Sequence, residues 1–270
     1  MNQRHARRPS LDPATVFAQI AALHQATADT LPPTPQAGSP LADNDARLGI
    51  HYLSHPAAMA AGVAIDNLEA VRNLVQDAGV VHPWAEHTLL RAAFESACTA
   101  LWLLGPDDPL ERHYRGVKHA LDNVRQGNTA NTLGGADRRP SGKSHQDVID
   151  EVMALVPDDD PSGRGRWDHK RLTAWSYKNV VREASAHMGQ PADLFELVWR
   201  RQSGLAHGTR WATMSTLEKD IVDGDTLGVA TVRFTASVED LVPVIAMTLA
   251  VVRRALQRYS ELSSAPSNEN

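Results

Sequence analysis

The feature that most constrains the fold is the run 94–104, in which only Glu95, Ser96 and Thr99 are polar. It lies in a helical pattern that starts at Pro83 and stops at Gly105-Pro106, with Leu90, Phe94, Ala97, Leu101 and Leu104 on one face. A helix apolar around most of its circumference must be enclosed by other elements rather than laid on a surface. A bilayer would also enclose it, but Glu95 and Thr99 here, and Arg253 in the last helix, keep every apolar run short of a membrane span. The expectation is a soluble helical protein with this helix at its centre and no membrane partner.

The neighbouring patterns agree. Asp12-Pro13 reads as an N-cap and first helical residue, opening a helix to about residue 28 with Val16, Ile20 and Leu23 as its stripe. The four prolines of 31–40 read as a linker. The main body begins near His55-Pro56, and Val63, Ala64, Leu68, Val71, Leu74 and Val75 recur at the helical period up to Gly79. Asp108-Pro109 opens a helix through Leu110, Tyr114, Val117, Leu121 and Val124, and 127–142 reads as a Gly- and Asn-rich loop. Ser144 and Asp147 mark a capping box for a short helix to Val156. A polar loop at 158–165 and one helix over 169–188 with Trp175, Val180 and Ala184 follow; Gly189 ends that helix and Pro191 begins the next.

Beyond Gly208 the texture changes. Stretches 213–222 and 226–235 are β-prone around Asp223-Gly224, the strongest hairpin signal in the chain. Ser237 and Asp240 then cap a long helix carrying Leu241, Ile245, Leu249, Val252, Leu256 and Tyr259, with Pro243 in its early turns. The fold class is therefore mainly α: a helical bundle with a β-hairpin inserted before its last long helix. Three segments are expected: 1–45 (basic tail, first helix, Pro-rich linker), a bundle domain over 46–262, and a disordered tail over 263–270.

Composition narrows the chemistry. A chain of 270 residues can bury a core without staples, and its single cysteine, Cys98, rules out an internal disulfide and leaves no Cys-based zinc site. The net charge of -5 gives no global nucleic-acid footprint and leaves only a local basic site open. No apolar stretch follows the basic N-terminus as in a secretory signal, so a cytoplasmic location is expected. Gly142-Lys143-Ser144 is no P-loop, because the required earlier glycine is Asp137. No Glu-x-x-His pair occurs on two helices, and Gly-x-Ser-x-Gly is absent, so no metal and no cofactor is assigned.

Chemistry concentrates at 199–208. On a helical projection Leu194, Val198, Arg201 and Leu205 share the core stripe, while Leu197, Arg200, Gly204, His207 and Trp211 share the stripe beside it. Gly204 admits the close approach of a helix or a ligand. Ser203 lies one turn before His207 and can bond to backbone. An arginine and a histidine on one ridge can act on a phosphodiester without metal: the guanidinium clamps the phosphate and the imidazole moves a proton. Arg91 and Glu95, one helical turn apart, form either a buried polar network or one wall of that site. In the plainer reading, His207 and Gly208 only end the helix.

Arg201-Gln202-Ser203-Gly204-Leu205-Ala206-His207 resembles the Arg-x(4–6)-His motif of the HEPN superfamily. Arg91 to Ala97, Trp102-Leu103-Leu104 and Ser203-Gly204 with His207-Gly208 also resemble a group of actinobacterial helical proteins. The architectural resemblance spans about residues 56–260, although the chain is longer than a minimal HEPN domain and carries the extra hairpin. It implies a metal-independent endoribonuclease, a toxin or defence effector, acting on RNA as a homodimer and held by an antitoxin protein. His207 and either Arg201 or Arg200 would be catalytic, with Arg91, Glu95, Ser203 and Gly204 supporting them; both arginines fit the spacing. Some members of the superfamily are inactive, so the alternative is a non-catalytic interaction or ligand-sensing module using the same polar pocket structurally. A metal-dependent bundle enzyme is a third option, which elemental analysis would test.

Overall fold

Helix α4 (Ala85–Leu104) runs through the middle of the molecule, as its apolar surface requires: every residue from Ala97 to Leu104 is buried. The structure, a computed structural model, describes residues 11–28, 34–135, 142–157, 169–226 and 229–265. The expected basic tail, the loop at 158–165, and parts of the linker, the Gly/Asn loop and the C-terminal tail lie outside these residues. Around α4 pack α3 (Ser54–Arg72), α5 (Pro109–Leu133), α8 (Tyr177–Ala186), α9 (Ala192–Ala206) and α11 (Val238–Ser263). The outer helices are α1 (Pro13–Ala28), α2 (Pro40–Leu48), α6 (His145–Met153), α7 (His169–Thr173) and α10 (Arg210–Thr216). One antiparallel hairpin, β1 (Glu218–Thr226) with β2 (Val229–Thr235), precedes α11, so the mainly α bundle with an inserted hairpin is what the chain forms.

Helix starts follow the capping signals. Ser39 accepts a hydrogen bond from the Ala42 N–H at 3.2 Å, and Asp108 one from Leu110 at 2.9 Å, each ahead of a proline. Ser144 and Asp147 close their capping box, and Ser237 caps α11.

Several boundaries differ from expectation for identifiable reasons. Pro40 is the first residue of α2 rather than the end of a linker. The boundary expected at residue 45 falls inside that helix. Val16, Phe17 and Ile20 of α1 and Leu41 and Leu48 of α2 share one core with α4, so the N-terminal helices belong to the bundle. Helix α5 continues past Gly127 to Leu133, tied to α6 by Asn128 Nδ2 donating to the His145 carbonyl at 3.1 Å. The single helix expected over 169–188 is broken between Thr173 and Tyr177, where Trp175 sits edge-on to Trp102 with ring centroids 5.5 Å apart. Helix α6 stops at Met153.

Residues 210–216 are helical despite their β-prone composition, since α10 folds back on α9. In the hairpin, Glu218 faces Thr235 and Ile221 faces Val232, with register shifts on both sides of Asp223. Asp223-Gly224 therefore sits in an irregularity of β1 and is not the turn. No helix of the described residues is long and apolar enough to cross a membrane.

Candidate functional site

Helices α4 and α9 cross through a mixed seam. Phe94 packs at a tilt against Phe195 with centroids 5.4 Å apart, and His87 Nδ1 meets Gln202 Oε1 at 2.8 Å in the buried interior. Gln202 can only accept through that oxygen, so His87 Nδ1 carries the proton. Burial holds the His87 pKa below the ordinary histidine value, with the Gln202 bond opposing. The seam therefore buries Phe195 and Gln202, each one position beyond the Leu194 and Arg201 expected from the projection, while Leu205 is buried as expected. Gln202 is the cheaper residue to bury, because an amide met by a buried imidazole leaves no unpaired charge.

That shift decides where the arginines go. Arg201 is exposed and makes no hydrogen bond or ion pair among the described residues, contrary to its expected core position. Arg200 is also exposed, pairs with Glu196 at 2.7 Å and lies over the Trp199 ring at 5.8 Å. Glu196 is further held by Arg182 at 2.6 Å, and the two arginines keep its carboxyl below the usual range. Neither Arg200 nor Arg201 bonds to His207. Helix α9 ends at Ala206, His207 is its C-cap, and Gly208 takes φ +62°, so the ridge expected to join Arg200 to His207 is interrupted.

The arginine at His207 is Arg91. Its Nη1 lies 3.2 Å from His207 Nε2. A guanidinium only donates, so Nε2 accepts and the neutral ring carries its proton on Nδ1. Arg91 Nε donates to Glu95 Oε1 at 3.1 Å, one turn along α4, and Trp199 Nε1 donates to the same oxygen at 2.5 Å. A chain of hydrogen bonds thus runs from Trp199 through Glu95 and Arg91 to His207. Glu95 is nearly buried, Arg91 half-buried and His207 exposed. Arg91 Nη2 bonds to nothing among the described residues, which leaves N–H donors beside an exposed imidazole.

The other expected residues act through the backbone. Ser203 contributes its carbonyl, which accepts the His207 N–H at 3.1 Å. Gly204 is buried under α10, and a Cβ there would lie 2.6 Å from Ala212 Cβ and 2.9 Å from the Trp211 ring. It admits a helix, not a ligand. Among the described residues no group of three or more His, Cys, Asp or Glu is placed to hold a metal ion.

A second constellation of the same residue types went unread in the sequence. Arg115 bonds to Glu111 at 2.8 Å and reaches Glu183 at 3.6 Å; its Nη1 lies 3.3 Å from His187 Nε2. Trp102 Nε1 donates to Glu183 at 2.6 Å while its ring takes the Arg115 cation at 5.1 Å. Arg115 and Glu111 stand four residues apart, as Arg91 and Glu95 do, and that spacing was the available signal. No protein-family model, curated protein or solved structure matches the chain.

Proposed function

We propose that the protein is a metal-independent endoribonuclease of HEPN type in which Arg91, rather than Arg200 or Arg201, clamps the phosphate and His207 moves the proton. The observation that carries this reading is the 3.2 Å contact between Arg91 Nη1 and an exposed His207 ring. Glu95 and Trp199 position the guanidinium, and its Nη2 is left to meet a phosphate oxygen. As the phosphate draws Arg91 away, Nε2 is released to accept the proton of a ribose 2′-hydroxyl. The 2′-oxygen attacks phosphorus, the bond to the 5′-oxygen breaks, and the departing oxygen takes a proton from solvent. The products are a 2′,3′-cyclic phosphate and a 5′-hydroxyl. The resemblance extends the reading to a homodimeric toxin or defence effector with an antitoxin partner.

The test is cleavage of a broad RNA panel in the presence of EDTA, with product ends identified by mass spectrometry. Wild type should give cyclic-phosphate ends and His207→Ala should lose about a hundredfold or more in rate. Arg91→Ala should fall further than Arg200→Ala or Arg201→Ala. Absence of cleavage by wild type, or equal cleavage by His207→Ala, would sink the proposal.

A second reading, a non-catalytic interaction module, is favoured by one observation. Leu194, Leu197 and Trp211 are 37%, 47% and 52% exposed on α9 and α10, the two helices that His207 joins. In that case His207→Ala removes no activity, and polar substitution of Leu197 and Trp211 releases a bound protein.

A further inference from the structure

At the far end of α4 from His207, the α4–α5 turn meets α2 and the end of α11 around a cleft of about 390 Å³. Three arginines line it: Arg47, Arg112 and Arg258. Arg112 is only 2% exposed, yet no carboxylate of a described residue stands within ion-pair distance of it. Its Nε donates to Asn44 Oδ1 at 2.8 Å, and its Nη1 to the carbonyls of Pro106 at 2.8 Å and Asp107 at 2.9 Å. Asn44, itself buried, donates to the Pro109 carbonyl at 3.1 Å and so fixes the guanidinium in place. Arg112 Nη2 bonds to nothing among the described residues.

Arg258 converges on the same point. Its Nη2 approaches the Pro106 carbonyl at 3.3 Å, and its Nε donates to the Leu104 carbonyl at 3.2 Å. Two guanidiniums thus share one carbonyl oxygen, an arrangement that repulsion opposes unless an anion sits between them. The carboxylates facing the cleft are Asp43 and Asp107. Asp107 bonds to Arg258, but its side chain is 96% exposed and free to swing away. Asp108 also acts on Arg112, while its side chain caps α5. Glu261 takes the remaining Arg258 bond at 3.0 Å.

We infer that this cleft binds a small phosphate-bearing ligand, held between the Arg112 and Arg258 guanidiniums with Arg47 closing over it. Arg112 Nη2 and, once Asp107 swings away, Arg258 Nη2 donate from two directions, which suits a tetrahedral dianion, and the first turns of α2 and α5 open onto the same space. A bound anion displaces the Asp107 carboxylate and supplies the counter-charge that buried Arg112 lacks.

The test is calorimetric titration of the full chain with inorganic phosphate and with glycerol 3-phosphate, chloride balancing the ionic strength. One saturable site is expected. Arg258→Gln should weaken it about tenfold and Arg47→Gln about threefold. Asp107→Asn should tighten it a few-fold, which a purely structural cluster would not do. Tighter binding of glycerol 3-phosphate assigns a phosphate monoester, and equal binding assigns free phosphate. Arg47 is exposed and makes no hydrogen bond among the described residues, so its variant tests the site without disturbing the bundle. Non-saturable uptake, or unchanged affinity in both arginine variants, would overturn the inference.

Discussion

The molecule builds two networks from the same residue types, one of four residues around Arg91 and one of five around Arg115, which has a second glutamate. In each, an arginine pairs with a glutamate one helical turn away, an indole N–H donates to a glutamate, and a guanidinium Nη1 reaches a histidine Nε2. The two differ in where the histidine stands. His187 is half-buried and lies flat against Gly105; its pKa is pushed down to about 4 by burial and then by Arg115 and Arg258. His207 is exposed at the end of α9. The Arg115 network is therefore a clamp joining α4, α5 and α8, whereas the Arg91 network carries its polarity out to solvent. Residue composition does not separate a clamp from a site; access to the imidazole does.

Exchanging the roles of the two arginines gives the largest expected contrast. Arg115→Ala should destabilise the protein by about 3–5 kcal/mol, because it strips the partner from a nearly buried network. Arg91→Ala should cost less stability, since Arg91 itself is more exposed than Arg115, but it should lower RNA cleavage about a hundredfold or more, as loss of one charge-stabilising donor does elsewhere. Urea unfolding and cleavage rates on both variants check this, and large stability losses in both would dissolve the distinction.

The glycine beside each network comes next. A Cβ on Gly105 would sit 2.4 Å from the His187 ring, and one on Gly204 would sit 2.6 Å from Ala212 Cβ. Each alanine substitution should cost about 1–3 kcal/mol. Gly204→Ala should also reduce cleavage, since α10 is joined to α9 through His207 and Gly208. Gly105→Ala should leave the rate alone.

Acid should then act through the clamp. His187 titrates near 6.5 when unfolded and near 4 when folded, so between those values the unfolded chain binds the extra proton. Stability is whole above pH 6.5 and falls as pH drops toward 4. His119, also pushed to about 4 by burial, and His87 act in the same direction. A loss on the order of 1–2 kcal/mol is expected from His119 between pH 7 and 5, and a smaller one from His187, whose half-exposed ring is screened by solvent. His187→Gln should flatten the midpoint-versus-pH curve; an unchanged slope would remove His187 from the clamp.

These contrasts show what the sequence could and could not carry. The bundle, the central helix and the caps at Ser144, Ser237 and Asp108 were legible, because local spacing and capping chemistry determine them. The Arg91–Glu95 pair was legible for the same reason. The partner of His207 was not. It depended on α9 burying Gln202 instead of Arg201 and on the helix ending one residue before His207. Both follow from tertiary seating against His87 and α10, which no single-helix projection contains. Trp199 and Trp102 lay in plain view, but a tryptophan reads as core until the acceptor of its N–H is known.

The finest contrast concerns those two indoles. Trp199→Phe keeps most of the ring volume but removes the N–H that Glu95 accepts. Glu95 is only 14% exposed, so water replaces the bond poorly, and about 1–2 kcal/mol of stability should be lost. Trp102→Phe removes an equivalent bond to Glu183, whose side chain is 51% exposed, and water can take over there. The N–H bond's share of that variant's loss should be less than about half as large, and the cavity left by the more buried ring adds to it. Trp199→Phe should further slow cleavage a few-fold with little change in KM, because a less constrained Glu95 lets Arg91 drift from the reacting phosphate. If Trp102→Phe slowed cleavage equally, the positioning role of Trp199 would be no more than a general effect of weakening α4.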